Sequence, residues 1–238
     1  MRKIAIVTGC SKGIGKEIAL ELARDGYDII GTYNTSFDSI KLLEKKIDSI
    51  GVKFYSYKLD LLNEEEINSF CSEIKLKFGK IDLLVNNAAL SLDNEFDLKT
   101  SEEFIDILKV NLVGPFILIK NLYKLMDNGI IVNISSTDGI DTYTKLNIDY
   151  SASKAGLINL TKSLSLIFDN IKVYCICPNW VDTESIKEMD QVYLKDEMNR
   201  IGQRKLINPK DVAYKLVDLV NSDSKSGSIV VMGDSYDR

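Results

Sequence analysis

Short apolar runs alternate with amphipathic stretches along this chain. Residues 4–7 (IAIV) form a wholly apolar run of strand length. After it, Ile14, Ile18 and Leu22, with Ala19 and Ala23, recur at helical spacing among polar residues, which predicts a helix. The alternation then repeats. Strands are predicted at 28–33, 53–60, 81–87, 129–136, 171–178 and 227–233. Helices are predicted at 38–50 (Ile40, Leu43 and Ile47 on one face), 63–78, near 101–126, from about 150 to 169, and near 209–221. Nearly continuous apolar strands suit a parallel sheet covered on both faces. Alternating β and α units predict a doubly wound α/β sheet of about seven strands flanked by helices. No Pro/Gly/Ser-rich linker, low-complexity tract or short-period repeat breaks the pattern, so residues 1–238 are expected to form one domain.

Composition narrows the chemistry. The 238 residues are 45% hydrophobic and 27% charged, which is ordinary globular composition. With 30 basic and 35 acidic residues the net charge is −5, so there is no electrostatic footprint of a nucleic-acid binder. The histidine count is zero. That excludes Ser-His-Asp and Cys-His nucleophile systems, HExxH metal sites and histidine-ligated haem. Acid–base chemistry near neutral pH must come from other side chains with shifted pKa values. The four cysteines (Cys10, Cys71, Cys175, Cys177) contain no CxxC pair, and Cys-x-Cys is not a usual zinc spacing, so no metal site is expected. Cys175 and Cys177 fall in a predicted strand, point the same way, and are expected to pack as small apolar side chains. The chain runs from MRK straight into its first strand, with no signal-peptide pattern and no apolar run near the ~20 residues of a membrane span. A reducing, cytoplasmic setting away from membranes is expected.

Two turns carry the first chemical signals. Thr8-Gly9-Cys10-Ser11-Lys12-Gly13-Ile14-Gly15 lies between the first strand and the first helix. Glycines there allow close backbone approach to a pyrophosphate, and a helix start offers free N–H groups and a positive dipole end. The same residues also suit a plain tight connection. At the end of the second strand, dinucleotide sites selective for NAD place an Asp or Glu against the ribose 2′-hydroxyl. Here Thr32, Tyr33, Asn34, Thr35 and Ser36 follow Gly31, with no acid before Asp38. Lys12 and these small polar groups would accept a 2′-phosphate that a carboxylate would repel. NADP(H) is therefore favoured over NAD(H), which remains an alternative.

A third signal is Tyr150-Ser151-Ala152-Ser153-Lys154. Residues i and i+4 of a helix share a face, so the Tyr150 hydroxyl and the Lys154 ammonium are expected to converge. A cation ~4 Å away is worth about 4 kcal/mol at an effective dielectric of 20, enough to draw a phenol of pKa ~10 toward neutrality. Such a tyrosine could take the proton-transfer role that histidine cannot fill here. Upstream, Ser136 ends the fifth strand, where parallel α/β sheets place their ligands, and Asn86-Asn87-Ala88-Ala89 ends the fourth. Asn111 falls inside a helical stretch, where a buried amide is unfavourable unless it is used. Taken singly, these three have plainer readings: Ser136 as a cap, Asn87 as a turn residue, Asn111 as an inter-helix hydrogen bond.

Together these residues resemble the short-chain dehydrogenase/reductase family over nearly the whole chain. The resemblance rests on TGxxxGxG at 8–15, Asp60, NNA at 86–88, Asn111, Ser136, Tyr150, Lys154, and a segment from Pro178 to Thr183 similar to the family's PGxxxT. Within the family the chain is most similar to the 3-oxoacyl-acyl-carrier-protein reductase group. The resemblance implies a Rossmann fold and reduction of a carbonyl by hydride from a nicotinamide cofactor. It implies that Tyr150 donates the proton, that Lys154 lowers the Tyr150 pKa and holds ribose hydroxyls, and that Ser136 binds the substrate oxygen. It further implies that Asn111 fixes a water leading to Lys154. Gly9, Ser11, Lys12, Gly13 and Ile14 would line the phosphates, and Asp60 the adenine, with Asn34 and Leu61 as further cofactor contacts. Asn87 and Ala88, with Ala89, would lie beside the ribose and nicotinamide. Val181 and Thr183, with Pro178, would hold the carboxamide and diphosphate.

Three departures bear on cofactor grip. Ala89 replaces the glycine of the usual NNAG, where its methyl could crowd the cofactor. Asn179 replaces a glycine after Pro178, where asparagine tolerates positive φ best after glycine. Met232-Gly233-Asp234-Ser235 replaces the common GG ending. Residues 182–208, entered through Trp180, are expected to form a substrate lid, or else a surface excursion with its own helix around 184–200. Lys195, Arg200, Arg204 and Lys205 could meet an acyl-carrier protein or coenzyme A, although charge runs are usually solvated faces. The resemblance places subunit interfaces on the helices near 101–126 and 150–169, implying a homotetramer or homodimer. Two other functions fit the same signals: an NAD-linked alcohol dehydrogenase, and a cofactor-binding regulator without turnover.

Overall fold

The structure, a computed structural model, describes residues 2–234. Among them seven strands form one sheet: β1 (Ile4–Val7), β2 (Asp28–Tyr33), β3 (Phe54–Lys58), β4 (Leu83–Asn86), β5 (Ile130–Ile134), β6 (Lys172–Pro178) and β7 (Ile229–Met232). Their order is β3-β2-β1-β4-β5-β6-β7, and every neighbouring pair is parallel. The helices are α1 (Gly13–Arg24), α2 (Phe37–Ile50), α3 (Glu64–Lys77), α4 (Ser101–Leu108), α5 (Gly114–Leu122), α6 (Ile148–Ile167), α7 (Glu184–Glu188), α8 (Gln191–Arg200) and α9 (Pro209–Val220). No helix among the described residues is long and apolar enough to cross a membrane.

The period-2 alternation of the strands sorts the core into two layers. Ala5, Val7, Ile29, Leu83 and Val85 pack with Ile18, Leu22, Val212 and Leu216 of α1 and α9. Ile6, Ile30, Leu84 and Ile131 point the other way, onto Ile67, Ile74, Leu118 and Leu122 of α3 and α5. Ile40, Leu43 and Ile47 bury the predicted face of α2. Cys175 and Cys177 project from β6 to the same side, beside Ile158 of α6, as free buried thiols with Sγ atoms 3.6 Å apart.

The helix expected near 101–126 is present from Ser101 to Leu125, with a change of helical type along it. α4 starts on a capping box between Thr100 and Glu103 and ends at Leu108. A π-helical turn follows over Lys109–Val113, then α5, then a 3₁₀ turn at Tyr123–Leu125. Pro115 lies in the first turn of α5 and has no N–H to return to the Asn111 carbonyl four residues back, so the ladder widens there. Strand ends are shorter than the apolar runs suggest. The third stops at Lys58, because Asp60 folds the chain back by accepting the Leu62 N–H at 2.9 Å. The 184–200 stretch is two helices, α7 and α8, separated where the Asp190 side chain caps α8.

The sheet order places the site. β1 has β2 on one side and β4 on the other, so the chain leaves the carboxyl ends of β1 and β4 in opposite directions and opens a crevice.

Candidate active site

The crevice is stitched by its own polar residues. The Thr8 hydroxyl oxygen accepts from the backbone N–H of Asn87 (2.9 Å) and of Ala88 (3.0 Å). The Asn87 amide donates to the Thr8 and Gly9 carbonyls, at 2.9 and 3.1 Å. Two glycines of the turn are demanded by this contact. A Cβ on Gly15 would lie 2.4 Å from the Asn87 amide nitrogen, and one on Gly9 would lie 2.9 Å from Ala88 Cα. Gly9 also has φ +62°, in the left-handed region that disfavours side chains.

A cleft of about 510 Å³ opens over this seam. Gly9, Ser11, Lys12, Gly13, Ile14, Asn34, Asp60, Leu61, Asn87, Ala88, Ala89 and Thr183, all candidate cofactor contacts from the sequence, line it. Gly15, Thr32, Tyr33, Thr35, Ser36, Leu59, Leu62, Leu90, Val110, Glu184 and Ser185 complete the lining. Tyr33, Thr35 and Ser36 flank Asn34 and were legible from their position at the end of a strand. Glu184 had no signal beyond adjacency to Thr183. Pro178, Val181, Ser136, Tyr150, Lys154 and Asn111 lie outside this lining.

Of these, Tyr150 and Lys154 lie on α6 and Ser136 just after β5, while Asn111 reaches α6 from the π-helical turn. Ser136 Oγ accepts the Asp138 N–H at 3.1 Å, so the plain reading as a cap is correct, and it also shares a hydrogen bond with the Tyr150 hydroxyl. Gly139 makes the meeting possible: a Cβ there would strike Ala155 N and Lys154 C, each at 2.6 Å, so the turn after β5 lies directly on the α6 backbone. Ser135 Oγ donates to the Lys154 carbonyl at 2.8 Å, and Asn133 donates to Thr161 at 2.9 Å, pinning α6 to β5. Asn111 uses its whole amide. It accepts from Leu90 N (2.8 Å) and donates to Leu90 O (2.9 Å) and to Ser153 Oγ (3.0 Å), whose hydroxyl donates to the Tyr150 carbonyl. Asn111 thus joins the cleft wall to the helix carrying Tyr150.

The electrostatics differ from the sequence expectation. Lys154 is 2% exposed, and its ammonium donates to the Ile134 carbonyl at 2.9 Å while lying 5.3 Å from the Tyr150 ring centroid. Burial pushes its pKa down to about 8, against the opposing pull of Cys175, Cys177 and Asp138. The Tyr150 phenol is pushed well above its ordinary value rather than below it. Burial is the main cause and the Asp138 carboxylate the next, with the Ser136 hydrogen bond opposing. The lysine charge rests on a backbone carbonyl and over the ring, and does not outweigh these effects.

The family model described as short chain dehydrogenase matches residues 3–193. The chain belongs to that family. It is an NAD(P)-dependent oxidoreductase of the short-chain type. It is 35% identical over 217 residues to a 3-oxoacyl-[acyl-carrier-protein] reductase of Aquifex aeolicus, covering 89% of this chain and 87% of the relative. It is 32% identical over 223 residues to that of Buchnera aphidicola, covering 92% and 89%. A short chain dehydrogenase from Burkholderia cenocepacia, solved in complex with NADP, superposes with a TM-score of 0.90 at 26% identity, covering 97% of this chain and 96% of the other. A dehydrogenase/reductase from Sinorhizobium meliloti gives 0.91 at 28%, covering 98% and 95%.

The short-chain dehydrogenase's own atoms fit the cofactor its family implies. The first turn of α1 already holds an anion: Glu184 Oε2 accepts the Gly13 N–H at 3.0 Å, and Oε1 lies 3.5 Å from Lys16 Nζ. Two departures resolve simply. Asn128 (φ +53°) is the one non-glycine with positive φ among the described residues, so Asn179 is not held in the conformation that would call for glycine. Instead its N–H donates to Met232 O at 2.9 Å, and its side chain accepts the Trp180 N–H. Ala89 is exposed at the cleft wall. Of the Met232–Ser235 ending, Ser235 lies outside the described residues. Arg200 is not part of a free basic face. It pairs with Glu197 at 2.6 Å and donates to the Tyr143 carbonyl at 2.7 Å.

Proposed function

We propose that this enzyme reduces a ketone, a 3-oxoacyl thioester or a related carbonyl, to an alcohol with NADPH. The observation that carries the reading is the meeting of Ser136, Tyr150 and Lys154 beside the switch-point cleft. The names of the curated relatives, 3-oxoacyl-[acyl-carrier-protein] reductases, support the substrate class. The bound nicotinamide supplies the hydride. Tyr150 gives its phenol proton to the oxygen of the reduced carbon. Ser136 donates to the same oxygen as charge develops. Lys154 binds the ribose hydroxyls from beneath Tyr150, and Asn111 keeps the cleft wall in register with α6. Gly13, Ser11 and Ile14 receive the phosphates, Asp60 and Leu61 the adenosine end, and Asn87 and Ala88 the nicotinamide end. Val181 and Thr183, after β6, hold the carboxamide and the diphosphate.

The cofactor preference rests on the ribose corner. Lys12, Asn34, Thr35 and Ser36 line it, and β2 brings no carboxylate there. A charge-assisted hydrogen bond is worth about 1.5–3 kcal/mol. NADPH should therefore bind about tenfold or more tightly than NADH, read by fluorescence titration; tighter NADH binding would end the assignment. Turnover is tested by following NADPH absorbance with a 3-oxoacyl thioester. No consumption above the protein-free rate, with cofactor bound, would favour a non-catalytic binder.

Residues 182–208 act as the substrate lid in this reading. Their base is clamped by the Val181–Ile207 bridge and by Gln203, which donates to the Trp180 carbonyl at 2.8 Å. Lys195, Arg204 and Lys205 remain the groups that would meet an acyl-carrier protein. Ile105, Val113, Phe116, Leu166 and Ile167 are exposed apolar side chains on the 101–122 and 148–167 helices, and they support a homodimer or homotetramer built through those faces.

A further inference from the structure

The start of α1 takes its capping group from a distant part of the chain. α3, α4, α8 and α9 each take a side-chain cap from the residue just before them: Asn63, Thr100, Asp190 and Asn208. The residue before α1 is Lys12, which makes no side-chain cap, and the first turn of α1 has no acidic residue. The orphan N–H groups and positive dipole end of this helix attract an anion. The anion comes from 171 positions away, as the Glu184 carboxylate on Gly13 N, with Lys16 alongside. Gly13 has φ +56°, and a Cβ there would sit 3.3 Å from Thr183 Cγ2, so the Thr183 side chain packs directly on the turn. Partial burial acts to raise the Glu184 carboxyl. The N–H groups of Glu184 and Gly13 and the Lys16 ammonium outweigh it and hold the group below the usual carboxylate range.

We propose that Glu184 is the resident anion of the cofactor site. It occupies the pyrophosphate seat on Gly13 and Lys16, and must leave that seat for a dinucleotide to bind, so cofactor binding releases the arm carrying α7. The inference rests on the reading that the cleft takes a dinucleotide. Two anions cannot share one N–H donor, and the Glu184 side chain is 48% exposed, so it can swing to water. The release stays local. The backbone before the arm is tied down by the Val181–Ile207 bridge, and Asp190 starts α8 behind it. Between those anchors lies the five-residue α7, with the exposed Lys187–Asp182 pair at 3.4 Å. The outcome is a lid segment whose freedom is set by cofactor occupancy.

The full chain and its Glu184→Gln variant are titrated with NADPH and separately with inorganic pyrophosphate. Glu188→Gln, the same charge change on an exposed residue of α7, is the control. Glu184→Gln is expected to bind both probes about five- to tenfold more tightly, and Glu188→Gln within about twofold of the parent, since charge effects on exposed groups decay with distance and salt. In the parent protein, NADPH is expected to speed amide hydrogen exchange across 183–188. Unchanged or weaker pyrophosphate binding by Glu184→Gln overturns the proposal, as does slower exchange in that arm with NADPH bound. If neither protein binds NADPH while pyrophosphate still prefers the variant, the dinucleotide reading falls and the resident anion stands.

Discussion

Tyr150→Phe should lower carbonyl-reductase turnover by about 10²–10⁴-fold, the usual contribution of a positioned proton donor. It should leave NADPH affinity within about twofold. The substitution removes the hydroxyl that shares a hydrogen bond with Ser136, and nothing else in the ring's surroundings. The direction of the phenol's shift matters. A raised pKa keeps the proton on Tyr150 throughout the neutral range and makes the phenol a weaker acid, so burial and the Asp138 carboxylate oppose its release. The ring also forms the platform over which the Lys154 ammonium lies, and phenylalanine preserves that platform. Steady-state turnover with NADPH and a 3-oxoacyl thioester, beside a fluorescence titration of cofactor, checks both halves. Near-normal turnover would remove Tyr150 from the reaction. A parallel loss of cofactor binding would mean that the hydroxyl serves the cofactor.

Lys99→Met should destabilise the protein by about 3–5 kcal/mol, the cost of stranding one member of a buried ion pair. Lys99 Nζ lies 3.0 Å from Asp149 Oδ2, with side chains 3% and 0% exposed. The same ammonium donates to the Leu92 carbonyl, and Asp149 Oδ1 accepts the Tyr150 N–H at 2.9 Å. Without Lys99 a carboxylate is left in the core with that one N–H. Total stabilities of about 5–15 kcal/mol make this a large fraction of the whole. Adding Asp149→Asn removes the stranded charge, keeps an oxygen for the Tyr150 N–H, and should restore more than half of the loss. Urea unfolding of the two single variants and the double variant measures the coupling. A loss below about 1 kcal/mol in Lys99→Met would show that the pair is not a fixed part of the core. The sequence offers no hint of this pair, because Lys99 and Asp149 are 50 positions apart and each looks like an ordinary surface charge.

Much of the lining of the cleft was legible because its signals are local. Thr8 to Gly15 sits between a strand and a helix, and the end of β2 is readable as a string without acids. The helix predicted near 101–126 forms, but its π-helical turn at Lys109–Val113 was not legible. Its apolar period runs through Pro115, and periodicity does not register one missing N–H. Asn179 was read as a conformational substitute for glycine, when its backbone and amide instead bridge Met232 and Trp180. The acidity of Tyr150 was read from spacing alone. Four residues along a helix put Lys154 on the right face, but burial and the Asp138 carboxylate are properties of the packed site.

Chain pattern alone determines the alternation of strand and helix, the two-sided burial of the sheet, the glycine turn after β1 and the absence of any histidine chemistry, since each depends on residues within a few positions of one another. Only the tertiary structure decides that Gly139 lets Ser136 reach Tyr150, that Asn111 ties Leu90 to Ser153, and that Glu184 sits on Gly13. Each of these contacts joins segments that are distant in the chain and adjacent only in the folded protein. Their charges and hydrogen bonds depend on distance and burial, which no run of letters encodes.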